Sequence, residues 1–341
     1  MKLIVKNNSL FFFSILIGFL SGCTKEIIEQ ETAVMSINYP SYIQTPNQIS
    51  LEKRKVSLGK QLFFDKNLSK NNQVSCSSCH LNQFAFGENV ALSKKGVSGK
   101  SLKRNSPVIF NMAWHNNFFW DGGAKDLSSQ VFGPLLSPDE MGADLKEIEN
   151  YLKQNKNYNT AFKEIYSSGV RIANLADAIA EYELSITSFN SKYDKVKSGE
   201  ASFSDEEQKG FQLYLSNCSS CHTEGLFSDY KHHNNGLDSI FADALDIEAE
   251  ERGRNRITNK TEDLQAYKTA TLRNITLSAP YMHDGRFQNL EEVINHYSNG
   301  IKPSSSLSSH IPNNSFGFSK KEKTNIITFL KTLDDTSIQS K

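Results

Sequence analysis

Apolar residues return at helical spacing along much of the chain. Leu58, Leu62 and Phe63 predict a helix within 51–64, and Leu145, Ile148 and Leu152 mark another. Leu175, Ile179, Tyr182, Ile186 and Phe189 carry a third stripe, with Asn174 placed as its N-cap. Ser204-Asp-Glu-Glu207 has the form of a capping box and predicts a helix running into Cys218. A short helix is expected over Leu290–Tyr297. Ser319-Lys-Lys-Glu322 opens the last one, with Ile326, Ile327, Leu330 and Leu333 on its inner face. No strand-rich region is seen, so the fold class is mainly α. Two stretches, 81–142 and 219–278, show little periodicity and are punctuated by Gly, Asn, Ser and Pro. The first interleaves Trp114, Phe118, Phe119, Trp120 and Phe132. An irregular segment of that length is either functional or disordered, and its aromatic content argues against disorder.

Each irregular stretch begins at the same pentapeptide, Cys76-Ser-Ser-Cys79-His80 and Cys218-Ser-Ser-Cys221-His222. C-x-x-C-H is the attachment signature of c-type haem: two thiols bond the vinyl groups and the histidine lies under the iron. A four-cysteine zinc site would bring the pairs within about 15–20 residues, and these lie in different halves. A thioredoxin-like dithiol would need no histidine after each pair. The motifs therefore predict two covalent haem c groups, on His80 and His222. The fold becomes two cytochrome c-like haem domains with long haem-wrapping loops, over 50–195 and 200–335. The polar run Ser191–Ala201 is taken as the boundary.

Composition adds little to this. The 341 residues are 38% apolar, and Lys+Arg and Asp+Glu both number 38, which gives no reason to expect a nucleic-acid partner. Lys2 and Lys6 followed by the apolar run Leu10–Leu20 read as an export signal, and Leu20-Ser-Gly-Cys23 as a lipobox. Residues 1–23 would be the lipoprotein signal, with Cys23 lipidated. Residues 24–49 would be a flexible tether holding the protein at the periplasmic face, its only link to a membrane. An uncleaved anchor helix is the competing reading, but the apolar run is short for a bilayer.

Gly59-Lys-Gln-Leu-Phe-Phe64, Arg104-Asn105-Ser-Pro107, Phe119-Trp120-Asp-Gly, Gly133-Pro134, Glu140-Met141-Gly, Thr271-Leu-Arg-Asn274 and Ala279-Pro-Tyr-Met-His283-Asp-Gly285 together resemble the bacterial di-haem cytochrome c peroxidases. That superfamily includes the methylamine-utilisation di-haem enzyme. The resemblance covers about residues 50–335. It implies a peroxidatic haem on Cys76, Cys79 and His80. An electron-transfer haem would sit on Cys218, Cys221 and His222. Hydrogen peroxide would be reduced with electrons from a small cytochrome or similar donor, and a homodimer is implied because family members often dimerise. Gln130 and Glu140 match the distal-pocket positions. A carboxyl over the iron can take a proton from one peroxide oxygen and give it to the other. Read alone, Glu140 is an ordinary first-turn acid after Pro138. Trp120 matches the electron relay between the haems, where a bare Phe-Phe-Trp run would read as core. Asn105, Ser278 and Pro280 match positions that hold one calcium ion through carbonyls and waters.

The chain departs from that pattern in its axial ligands. The loop 84–103 has no histidine to cap the first iron, so an open or water-bound distal side is expected at rest. His115 reads as a satisfied structural histidine, and His232 and His233 as a solvated pair or a propionate contact. Where many relatives carry an axial Met, this chain has Tyr297, preceded by His296. Tyr297 is the expected ligand of the second haem, with His296 as its competitor. Tyrosine there is the pattern of the methylamine-utilisation enzyme, and an anionic oxygen would lower the potential. Met282 and His283 are expected to line or support the pocket. The primary expectation is a peroxidase. The alternatives are an oxidase of the methylamine-utilisation type, using high-valent haems on a protein or small molecule, and a non-enzymatic di-haem electron carrier.

Overall fold

The computed structural model describes residues 34–44, 49–239 and 249–340. The expected signal and Cys23 lie outside them. Among the described residues no helix is long and apolar enough to cross a membrane. The protein is mainly helical. Strand β1 (Val34–Ser36) pairs antiparallel with β2 (Ser50–Glu52), and α1 (Lys53–Phe64) and α2 (Cys76–Cys79) follow. Then come α3 (Leu127–Leu136), α4 (Leu145–Gln154), α5 (Lys156–Ile165), α6 (Ile172–Ser185), α7 (Lys192–Lys197) and α8 (Asp205–Asn217). The second half adds the short pair β3 (His232–His233) and β4 (Tyr267–Lys268), with α9 (Asn255–Thr258) between them. It ends with α10 (Leu290–Asn295) and α11 (Lys320–Leu330).

The two halves repeat one packing device. The apolar stripe of α1 lies on α6, and Gly59 lets the backbones meet, because a Cβ there would overlap the Ala178 carbonyl. The stripe of α8 lies on α11, and Gly210 plays the same part against the Asn325 carbonyl. One core gathers residues between Leu58 and Ile186, a second those between Tyr193 and Leu333. Capping boxes at Ser204 and Ser319 start α8 and α11 as their sequences predict. The cap of α6 is Arg171. Asn174 lies inside the helix, its amide bonded to Gly169 O (2.7 Å) and Ser168 Oγ (2.8 Å), so the N-cap expectation is corrected.

Three boundaries also differ from expectation. Residues 34–44 are not a loose tether. Ile37 and Ile43 are buried with Leu51, Trp114 and Tyr230, and the Tyr42 hydroxyl donates to Asp194. The run 191–201 is not a polar break. It forms α7, capped by Ser191 and anchored by buried Tyr193 and Asp194. Finally, the chain past 335 does not trail off. Ile338 enters the first core, Asn82 Nδ2 donates to Gln339 O (2.6 Å), and Gln339 Nε2 donates to Gln83 O (3.1 Å). A buried polar seam joins the halves nearby. Asn111 receives the Ser188 amide (2.9 Å), Asn274 Nδ2 donates to Ser188 Oγ (2.8 Å), and that hydroxyl donates to Asp335 (3.0 Å).

Candidate active site

A cavity of about 550 Å³ with mostly apolar walls is bordered by both C-x-x-C-H motifs. Each histidine is held the same way. His80 Nδ1 lies 2.9 Å from Phe86 O, and His222 Nδ1 lies 3.2 Å from Phe227 O. Phe86 (φ 57°) and Phe227 (φ 54°) are buried phenylalanines in the left-handed region, a costly conformation that turns each carbonyl onto a ring. Burial lowers the pKa of both imidazoles, which favours their neutral form. With Nδ1 donating to a carbonyl, the lone pair stays on Nε2, the tautomer a metal-binding histidine needs.

Burial also pushes the Cys79 thiol up to about 11 and the Cys218 thiol up to about 12, with Cys76 higher still. Thiols in apolar walls suit thioether attachment, whereas a zinc site would stabilise thiolates. Among the described residues, no group of three His, Cys, Asp or Glu could hold a metal ion directly. The paired thiols in the cavity wall and the held imidazole after each pair fit a haem on each motif.

Gln130 and Glu140 both border this cavity. Gln130 stands on α3, whose start is fixed by Asp126 accepting from the Ser129 amide (2.8 Å). Pro134 lies near the end of α3, and the chain folds back there, with Glu140 N donating to Ser137 O (3.0 Å) and Met141 N to Pro134 O (3.1 Å). Val97 N braces the turn by donating to Glu140 O (2.8 Å). Burial raises the Glu140 carboxyl above its ordinary range, and a hydrogen bond with Ser137 works against it.

Trp120 is half-buried in the same wall, its indole donating to Asn105 O (2.8 Å) and its carbonyl accepting from Lys268 N (2.8 Å). The Lys268 ammonium is buried beside it, bonded to Asn117 O, and burial lowers it to about 7. Asn105, Ser278 and Pro280 all border the cavity. The Asn105 amide nitrogen faces Val90 O (3.0 Å) and Ala91 O (3.1 Å).

Tyr297 and His296 part company. After α10 the backbone widens into a π turn, His296–Gly300, of the kind that often marks functional positions. The Tyr297 phenol borders the cavity and receives a hydrogen bond from Asn235 Nδ2 (3.3 Å), and burial pushes it up to about 12. His296 does not border it. Its Nε2 is engaged with Asn235 O (3.0 Å). Asn235, which also reaches Met282 Sδ (3.4 Å), carries no signal in the sequence.

The remaining histidines differ in part from expectation. His115 is not satisfied. Its ring lies 4.2 Å from that of Tyr230 and borders the cavity, and Nδ1 has no partner among the described residues. His283 stacks on Tyr267 at 3.7 Å, and its backbone carbonyl, not its ring, meets Asn105 N (2.7 Å). His232 and His233 form β3 and are partly buried, so they are not a solvated pair. His233 Nε2 lies 2.8 Å from Asp229 Oδ2. That bond, with help from the Cys221 sulfur against burial, raises its pKa to about 9. A raised folded pKa stabilises fully below the unfolded value of about 6.5 and is lost as pH climbs. The melting temperature should therefore fall between about pH 6.5 and 9, and Asp229→Asn should remove most of that slope in a thermal-melt pH series.

The chain is similar to several known proteins. Residues 53–202 match the family model described as di-haem cytochrome c peroxidase. The chain is 30% identical over 317 residues to a methylamine utilization protein MauG of Methylorubrum extorquens, covering 91% of this chain and 87% of the relative. It is 31% identical over 304 residues to the cytochrome c551 peroxidase of Nitrosomonas europaea, covering 88% and 85%. A solved MauG-like protein associated with microbial copper homeostasis superposes with a TM-score of 0.80 at 32% identity, over 88% of this chain and 96% of that one.

Proposed function

Because this chain belongs to the di-haem cytochrome c peroxidase family, we propose that it reduces hydrogen peroxide to water with electrons from a small cytochrome or similar donor. The observation that supports this most is a half-buried carboxyl, Glu140, in the wall of the cavity that His80 also borders. When bound, the haem irons supply peroxide binding and electron transfer. Glu140 takes the proton from one peroxide oxygen and delivers it to the other, which leaves as water. Gln130 orients the substrate beside it, and Trp120 carries electrons from the half that holds His222. Two electrons and two protons convert each peroxide to two waters. The haem-wrapping role of the irregular loops, the calcium ion at Asn105, Ser278 and Pro280, and the lipid anchor at Cys23 belong to this proposal.

The test is to mix the haem-loaded protein with hydrogen peroxide and reduced cytochrome c and follow both spectra. Fast cytochrome oxidation supports the peroxidase. A long-lived oxidised form without turnover supports the MauG-type reading, and no reaction with peroxide leaves an electron carrier.

The MauG-type oxidase is kept as a second reading on one observation, the buried Tyr297 phenol at the cavity wall. Tyr297→Phe should change the optical and EPR spectrum of the second haem alone and raise its potential, since an anionic oxygen ligand is removed. An unchanged second-haem spectrum would count against Tyr297 as the ligand.

A further inference from the structure

Glu183 is an acid that the reaction above does not use. It stands on α6 one turn after Ile179, and both side chains border the large cavity. Only 6% of the residue is exposed, and Oε2 has no hydrogen-bond partner among the described residues. The groups that face it do not compensate its charge. Tyr182 on the same helix has a buried hydroxyl that likewise lacks a partner. Cys76, at the start of α2, feels Glu183 more strongly than it feels Glu140, and each carboxylate would disfavour its thiolate. Among the described residues no cation acts on Glu183, and burial pushes its carboxyl up to about 8. Glu140 differs in being less buried and in bonding Ser137. An uncompensated buried acid is poised between its neutral and ionised forms, and any charge that enters the same low-dielectric space decides between them.

We infer that Glu183 is a proton-coupled partner of the haem on Cys76 and Cys79, binding one proton when that haem gains an electron and releasing it when the electron leaves. The inference rests on the reading that this haem occupies the cavity. In the reductive step the donor supplies one electron to the oxidised haem and solvent supplies one proton to the Glu183 carboxylate, so the net charge of the cavity does not change. The O–H bond formed at Glu183 holds, inside the cavity, one of the two protons that peroxide reduction consumes. Glu183 thereby acts through the haem and needs no contact with peroxide.

The experiment is a redox titration of the haem-loaded protein from about pH 6 to about pH 10, read at the first haem. Over the range where Glu183 is ionised in the oxidised protein and protonated in the reduced one, the reduction equilibrium should shift about tenfold per pH unit, or ~59 mV for a one-electron couple. Glu183→Gln should flatten that slope and Glu140→Gln should leave it. The reduced-minus-oxidised infrared spectrum should gain a protonated carboxyl C=O band. Glu183→Gln should lack the band, and Glu183→Asp should keep it at a shifted frequency. A slope that survives Glu183→Gln, or that Glu140→Gln removes, overturns the inference. So does a wild-type protein with a flat potential and no carboxyl band, whatever the variants do. Intact mass counts the attached haems. A chain lacking the first haem overturns the reading and the inference together, whereas a fully loaded chain with a flat potential overturns the inference alone.

Discussion

Glu140→Gln is expected to lower peroxide turnover by about 10²- to 10⁴-fold, the usual contribution of a positioned acid–base group, with both haems still attached. The substitution keeps the size of the side chain and its ability to bond Ser137, but it cannot carry a proton. The turn over 137–140 is braced from outside by Val97 N on Glu140 O (2.8 Å) and Gly142 N on Ser137 O (2.8 Å), so the backbone that aims the side chain is independent of the carboxyl. Burial already holds this acid above the ordinary glutamate range, which brings its proton affinity closer to neutral pH. The acidic limb of the wild-type rate profile should accordingly lie above that range, and it should vanish in the variant. Stopped-flow mixing with peroxide isolates the first step from donor oxidation. A fall of less than about tenfold in that step would assign the proton to another group.

The largest effect on stability is expected at Asp194. Arg273 is 1% exposed, and its guanidinium forks onto the Asp194 carboxylate through Nη1 (3.0 Å) and Nη2 (2.8 Å) while Nε donates to Gly225 O (2.8 Å). Burial alone would raise the Asp194 carboxyl, but the Arg273 hydrogen bonds outweigh it and hold the group below its usual range. Asp194→Ala strands the guanidinium in the core and should cost about 3–5 kcal/mol, as removal of one partner of a buried pair does. Replacing both residues with apolar ones of similar volume, as in Asp194→Leu with Arg273→Met, should cost much less than the sum of the single changes. Denaturant midpoints of the wild type, Asp194→Leu, Arg273→Met and the double variant decide this. Additive losses would mean that the pair is not coupled. The damage should also reach the second motif, because the loop that Arg273 holds at Gly225 continues to Phe227, whose carbonyl faces His222.

Residues whose fate is set by near neighbours were legible in the sequence. The stripes of α1, α6, α8 and α11 and the capping boxes at Ser204 and Ser319 follow from side chains three or four positions apart. The two C-x-x-C-H motifs are equally local. What escaped notice depends on distant partners. Tyr42 looked like part of a tether because Asp194, the residue that fixes it, is 152 positions away. Asp194 itself looked like one acid in a polar run until Arg273 closed on it. His296 and Tyr297 are neighbours in sequence, and only the π turn gives them different surroundings. Glu183 left a faint signal, a lone charge four residues after Ile179 on the inner stripe of α6. It was obscured because a periodic pattern tolerates one polar member.

The turn around Ile338 ties together parts of the sequence that lie far apart. Ile338 is fully buried in the first core, and the Gln339 side chain and carbonyl are tied to Gln83 and Asn82. Cys76 packs against that same core. A cavity opened by Ile338→Ala should therefore loosen the half that carries Cys76, Cys79 and His80 rather than the half that Ile338 follows in sequence.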